Sequence, residues 1–391
     1  MASSCCTRTQ TLVATVLEYD TPKQVHIHSK SIGIFNRVVQ LLIIGYIIGW
    51  VFIYKQGYQF EDIGVSGTTT KVKGVTYADF NNSKIVNRVW DTTDIVVPAE
   101  ENNAFFVTTN AIVTNHQTPG ECPEMSDVVG ANCTSNTDCP VGKAYLLGHG
   151  VNNGTCAPTG TCIVHAWCPI EDDSLSSTYA VLNGTYNFTV LIKNNVFFPF
   201  YNKRRSNILE STNASYLQNC RYHADADPFC PVFTLGYIVD EAHLKAPGSL
   251  KYEDIAYIGG VISVRISWDC NFNYDPKDCK PIYNFDRLDK GEDSLIAKGY
   301  NYRYSHNYFT NGIEYRQQIK AYGILFIIAV DAKAAAFNII PTLTNLGSGL
   351  ALLSIATIIC DVFVLYLHKY RLTYKAHKYE EVNSDNYGEL D

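Results

Sequence analysis

The sequence has no G-x-x-x-x-G-K-[ST] loop, no H-E-x-x-H pair and no G-x-S-x-G elbow, so the common phosphate-loop, zinc-protease and serine-hydrolase signatures are missing. It also lacks an excess of basic charge. Its 31 Lys and Arg stand against 38 Asp and Glu, a formal net charge of −7. Neither a nucleic-acid partner nor a basic coat for anionic lipid follows from that balance, and any cationic site must be local. The ten cysteines from Cys122 to Cys279 include no C-x-x-C spacing, the usual zinc arrangement. Internal repeats and low-complexity tracts are missing too.

Two apolar runs are present, "VVQLLIIGYIIGWVFIY" at 38–54 and "IIPTLTNLGSGLALLSIATIICDVFVLYL" at 339–367. A helix needs about 20 mostly apolar residues to cross a hydrocarbon core, so each run reads as a transmembrane helix. Trp50 and Tyr54 suit the membrane interface at the edge of the first. The preceding 37 residues show no small-residue cleavage pattern, so the run reads as an anchor rather than a removed signal. Lys23, Lys30 and Arg37 precede the first run, and Lys369, Arg371, Lys375 and Lys378 follow the second. By the positive-inside rule 1–37 and 368–391 are cytosolic and 55–338 is extracellular. Cys5 and Cys6 are then expected to be reduced thiols.

Two independent features agree with this topology. Ten of thirteen cysteines lie in 55–338, an even number that implies an oxidised, disulfide-bonded ectodomain. N-x-S/T acceptors at Asn81, Asn132, Asn153, Asn183, Asn187 and Asn213 fall in the same segment, as extracellular glycosylation requires. Six of the cysteines lie in 122–168 among much Gly, Thr and Asn, which marks a small disulfide-held subdomain.

Strand patterns dominate the ectodomain. In "VISVRISW", Ile262, Val264, Ile266 and Trp268 alternate with Ser263, Arg265 and Ser267, the period of a sheet with one wet face. Similar runs occur at 104–114, 187–193 and 320–330, and no helical period of comparable strength is read here. The expected fold is an α+β membrane protein, two transmembrane helices flanking a large, disulfide-rich, β-sandwich-like ectodomain.

Cationic residues recur at strand spacing. In "TTTKVKGVTY" Lys71 and Lys73 project together if the segment is extended, and Thr189, Leu191 and Lys193 share one face of "FTVLIKNN". Asn301 and Arg303 share a face in "YNYRYS". Asn311-Gly312 is a preferred pair for a two-residue hairpin, and that turn sets Arg303 directly opposite Lys320. Like charges opposed on a sheet destabilise it. The expectation is a multiply charged anionic ligand, not a protein carboxylate, as the partner these cations lack.

The second apolar run carries more polar groups than an anchor needs, including Thr344, Asn345, Ser348 and Asp361. Thr344, Ser348, Ala351 and Ile355 form one helical stripe, and an intramembrane Asp is a functional pointer. One helix cannot enclose water, so a pore requires an oligomer with that stripe on its axis.

With these motifs the chain resembles the ATP-gated ionotropic purinergic receptors, trimeric cation channels of the plasma membrane, over about residues 19–378. The resemblance is carried by "YDTPK", "TTTKVKG", the ten-cysteine ectodomain, "FTVLIKNN", "FCPVF", "NYR", "IKAYGILF", "FNIIPTLTNLGSGLALL", "ICD" and "YKAHK". It implies a homotrimer of this chain with two identical partner subunits in a lipid bilayer. Extracellular ATP would be ligand rather than cofactor, with no catalysis. Lys71, Lys73, Asn301, Arg303 and Lys320 would hold phosphates with Lys193 nearby, Thr189 would read adenine, and Leu191, Leu217 and Val232 would pack around base and ribose.

The resemblance also implies disulfides Cys122 to Cys168, Cys133 to Cys156, Cys139 to Cys162, Cys220 to Cys230 and Cys270 to Cys279, a pairing that sequence alone leaves open. Two departures from the family pattern stand out. Tyr302 replaces a common Phe on the face away from Arg303, and Thr344 stands where a closed gate is often more apolar. Modulation by divalent metals is frequent in the family; Glu100 and Glu101 would form an acidic ring in the central vestibule where they face the threefold axis, and His116 and His223 are candidates by residue type alone. The alternatives are an ecto-nucleotidase anchored by two helices, for which "DIGVSGTT" at 62–69 is a faint phosphate-loop likeness, and a two-span proton- or peptide-gated sodium channel.

Overall fold

The computed structural model describes residues 29–78, 88–173, 180–210, 212–245, 251–289 and 299–378, and in it the alternating runs become sheet. In chain order the main elements begin with helix α1 (Lys30–Gly45, continued by a π-helical segment, Tyr46–Tyr54). Strands β1 (Gln59–Ile63), β2 (Val65–Lys73), β3 (Val75–Ala78), β4 (Arg88–Asp91), β5 (Ala104–Pro123), β6 (Val151–Cys156), β7 (Cys162–Cys168), β8 (Thr189–Phe198) and β9 (Lys203–Ser206) follow. After them come α2 (Ala214–Asn219), β10 (Val232–Thr234), α3 (Leu235–Lys245), α4 (Tyr252–Ile258), β11 (Gly260–Asn271), β12 (Ile282–Arg287), β13 (Asn301–Thr310) and β14 (Ile313–Phe337). Last are α5 (Ile339–Val362, extended by Phe363–Leu367) and α6 (Arg371–Lys378). The chain divides into a β-rich unit, Glu61–Ala335, and a helical unit made by the segments on either side of it.

The β-rich unit is built on two sheets. The larger has the order β12-β11-β14-β5-β7-β6, with β13 added to β14, and the smaller has β10-β8-β2 with β9 on β8. Ile262, Val264, Ile266 and Trp268 of β11 are each at most 1% exposed and share one core with Val190, Ile192 and Phe198 of β8. The Trp268 indole donates to Asn194 Oδ1 across that core at 2.8 Å. The alternation therefore identified the buried face. The wet face is only partial, since Arg265 is exposed but Ser263 is buried.

Short helices accompany the sheets in this unit. Leu235, Ile238, Val239 and Ala242 of α3, at i, i+3, i+4 and i+7, are all nearly inaccessible. That period was present in "LGYIVDEAHLK" but covers only three turns. All five implied disulfides form, Cys122–Cys168, Cys133–Cys156, Cys139–Cys162, Cys220–Cys230 and Cys270–Cys279. In the 122–168 subdomain Cys133, Cys139 and Cys162 are themselves a small buried cluster, so the bridges substitute for apolar packing.

In the helical unit α1 starts at Lys30, eight residues before the apolar run. Helical hydrogen bonding continues into its polar flank, so Arg37 lies inside the helix. The second helix spans 339–367 as read. Both are long and apolar enough to cross a membrane. They pack through Gly349, Ala356 and Cys360 of α5, and Phe35 stacks on Phe363 at 4.4 Å. Thr344, Ser348, Ala351 and Ile355 remain exposed on another stripe.

Candidate functional site

Strand pairing assembles the first group of cations. β2 and β8 are antiparallel, with Thr69 opposite Lys193, Lys71 opposite Leu191 and Lys73 opposite Thr189. Residues directly opposed in a sheet share a face, so three lysines, two hydroxyls and one leucine are presented together. β10 extends the face, with Val232 opposite Leu191. Val190 and Ile192 point the other way into the core, which fixes the register and leaves Lys71, Lys73 and Lys193 exposed. Among the described residues none of these three lysines makes an ion pair. Leu217 lies in α2, half-buried, three residues before the Cys220–Cys230 bridge.

The second group sits on the hairpin. Asn311 and Gly312 take φ of 52° and 80°, the left-handed pair that a tight turn needs, and Arg303 pairs with Lys320 as the turn implies. Asn301, exposed, begins β13 on the same face. Tyr302 has the opposite parity, packs on Phe106 at 4.8 Å and hydrogen-bonds Val97 O, so it turns away from the cations.

One expectation fails here. The charge on Arg303 and Lys320 is met by protein carboxylates. Arg303 Nε donates to Glu171 Oε2 at 2.8 Å and its Nη2 to Asp173 Oδ1 at 3.0 Å, while Lys320 Nζ lies 2.8 Å from Asp173 Oδ1. Two cations and two anions form a compact quartet, which relieves the like-charge opposition within one chain. The signal was the acidic run Glu171-Asp172-Asp173, three residues past Cys168, which hairpin arithmetic alone does not connect to β13.

Burial and the Asp173 carboxylate raise the Glu171 pKa, with Arg303 opposing. Burial would raise Asp173, but hydrogen bonds from Glu171 and Lys320 hold it well below the usual range. Burial would lower Lys320, but the bond to Asp173 raises it instead. A cavity of about 580 Å³ opens at this quartet, lined also by Arg316, Gln318, Trp167 and His149. It is lined by neither Lys71, Lys73 nor Lys193. The Arg316 guanidinium lies 4.5 Å from the Trp167 ring and donates to Gln117 Oε1 at 2.6 Å.

Glu171 occupies the Arg303 Nε donor, so Glu171→Gln is expected to raise apparent affinity for a polyanionic ligand about 3- to 10-fold, the value of one ordinary hydrogen bond. Dose-response curves check this, and reduced sensitivity would show the carboxylate to be part of the binding form.

The other sequence-derived residues distribute differently. Asn345 is half-buried and donates to Gly57 O at 2.6 Å, so its side chain is turned away from the exposed stripe of Thr344, Ser348, Ala351 and Ile355. Asp361 is paired with Lys378 of α6. Glu100 and Glu101 are exposed ahead of β5, His116 Nδ1 lies 2.8 Å from the Tyr308 hydroxyl, and His223 accepts the Asp225 and Ala226 amides. Among the described residues, the metal-type clusters of three are built on disulfide cysteines and include none of these. Asn132, Asn183, Asn187 and Asn213 are exposed, Asn153 is half-buried, and Asn81 falls outside the described residues.

Similarity to known proteins accords with these arrangements. The family described as "ATP P2X receptor" matches residues 17–381. The chain is 44% identical over 392 residues to P2X purinoceptor 4 of Mus musculus, covering 99% of this chain and 98% of that one, and equally to its Bos taurus counterpart. Among solved structures it is similar to an invertebrate P2X receptor from the Gulf Coast tick, obtained with ATP and Zn2+, at 45% identity and a TM-score of 0.77 over 84% of this chain and all of that one. It is also similar to the chicken ATP-gated P2X7 receptor channel in the presence of the competitive antagonist TNP-ATP, at 32% identity and a TM-score of 0.73 over 85% of this chain and 99% of that one. With the family matched across nearly its whole length, the chain belongs to the P2X receptors.

Proposed function

We propose that this chain forms a homotrimeric, non-selective cation channel (Na+, K+, Ca2+) of the plasma membrane, with both termini cytosolic, that opens when extracellular ATP binds between neighbouring subunits. One observation carries the reading. The two cation groups lie on different sheets, and the cavity at Arg303 and Lys320 is not lined by Lys71, Lys73 or Lys193. Each group is thus half of a polyphosphate site, and the halves meet when one subunit's β2/β8 face lies against its neighbour's β13/β14 hairpin.

Lys71, Lys73 and Lys193 supply point charges, and Arg303 supplies a forked donor, with Asn301 and Lys320 beside it. Thr189 takes the polar edge of adenine while Leu191, Leu217 and Val232 pack around base and ribose. The triphosphate replaces Glu171 and Asp173 as partner of Arg303 and Lys320. β14 carries Lys320 and leads through Asn338 directly into α5, so a shift at the ligand is transmitted along one strand to the second membrane helix. ATP opens the pore only through its higher affinity for the arrangement in which the halves are drawn together. Thr344, Ser348, Ala351 and Ile355 then face the pore, and no phosphoryl transfer is involved.

Rapid application of ATP to patches expressing the chain, with released phosphate assayed in parallel, tests the proposal. Current without phosphate is the expected result. Phosphate release that follows expression would favour a nucleotidase, and acid-evoked current indifferent to ATP would favour a proton-gated channel.

A further inference from the structure

We infer that Asn345 is a positioning residue that latches the outer end of α5 to the turn following α1 in the same subunit, and that this latch is released when the pore opens. The release rests on the channel reading above; the latch itself does not. Asn345 lies at i with respect to Gly349, Ala356 and Cys360 at i+4, i+11 and i+15, the stripe that packs on α1. Its amide Nδ2 donates to Gly57 O at 2.6 Å. Two further bonds join the same places. Asn338 N donates to Tyr58 O at 3.0 Å, and Thr342 Oγ1 to Tyr58 O at 3.2 Å.

The turn is shaped to present these carbonyls. Gln56 takes a left-handed φ of 49°, and Gly57 N donates back to Val51 O at 2.9 Å. A Cβ on Gly57 would meet Asn345 Nδ2 at 2.8 Å and Val51 O at 2.9 Å, so no larger residue keeps both the turn and the bond. At the opposite end of the same helix seam Cys360 Sγ lies 3.4 Å from Asn36 Oδ1. Polar contacts thus pin the helix pair near both ends, while the neighbouring stripe from Thr344 to Ile355 has none to α1 among the described residues. The latch is closed in an arrangement in which Glu171 and Asp173 hold Arg303 and Lys320. Bonds made in that arrangement favour it, so their loss favours the other.

The test uses the full chain with Asn345→Ala, Gly57→Ala and the double variant, with surface protein measured by biotinylation. Each single variant is expected to lower the half-maximal ATP concentration about 3- to 10-fold, as loss of one hydrogen bond allows. The double variant should shift by less than the sum of the two single shifts, since only the contact with Asn345 Nδ2 is shared, and single-channel conductance should be unchanged. Additive shifts, an unchanged or raised half-maximal concentration, or altered conductance at unchanged sensitivity would overturn the inference, the last by placing Asn345 in the pore. Melting temperatures of the purified proteins provide a second cycle that needs no current. Non-additive losses there support the latch and additive or zero losses refute it, even if the wild type proves silent to ATP, an outcome that would sink only the channel reading.

Discussion

Lys71→Ala and Lys320→Ala should each raise the ATP concentration needed for half-maximal current about 10- to 100-fold or more, since a hydrogen bond to a charged group is worth roughly 1.5–3 kcal/mol. The two substitutions test different halves. Lys71 is exposed opposite Leu191 and makes no ion pair among the described residues, so its removal costs the folded chain little and its effect reports the ligand. Lys320 is buried and bonded to Asp173, so its removal also leaves that carboxylate with one cation, Arg303, in place of two. The Lys320 variant should therefore show some loss of surface protein in addition to lost sensitivity, whereas the Lys71 variant should not. Whole-cell dose-response curves normalised to surface biotinylation separate these effects. Unchanged curves for both would remove the site.

Gly259→Ala is expected to reduce surface expression at least tenfold, through the fold rather than the ligand. Gly259 takes a φ of +87°, and a Cβ there would lie 2.0 Å from Tyr300 O and 2.7 Å from Gly323 O. A left-handed non-glycine residue costs about 1–2 kcal/mol by itself. The overlap with two backbone oxygens adds more, because the backbone has nowhere to yield: Tyr300 N donates to Ile258 O at 3.1 Å and Gly323 N to Tyr300 O at 3.2 Å. This contact among three segments of the chain seats the start of β13, immediately before Asn301 and Arg303. Channels that still reach the surface should therefore also be less sensitive to ATP. Normal expression with normal sensitivity would show that the contact is not needed.

Much of this architecture could be read from the sequence where period and turn chemistry act locally. Ile262, Val264, Ile266 and Trp268 announced a buried strand face, Asn311-Gly312 set the Arg303 to Lys320 register, and the parity of Lys71 and Lys73 put both on one exposed face. The disulfide pairing came from family resemblance, since ten cysteines allow on the order of several hundred pairings.

What the residues did not disclose depends on contacts remote in sequence. Glu171 reaches Arg303 across 132 residues, and no local pattern couples an acidic run after a disulfide loop to a hairpin. Asn345 stands next to Thr344 in sequence but a helix turns them to different neighbours, and only the path of the chain after α1 brings Gly57 O to it. The α3 period was visible but short, and short apolar runs do not separate helix from strand.

The most direct test of the central claim uses three linked subunits carrying one Lys71→Ala and one Lys320→Ala substitution. If ATP joins the two cation groups across a subunit boundary, placing the changes on the facing sides of one boundary spoils one site and leaves two. Placing both in one subunit spoils two sites and leaves one. The account predicts that the facing arrangement retains ATP sensitivity closer to the wild type than the same-subunit arrangement does. The reverse order would contradict it and place the whole site within a single chain.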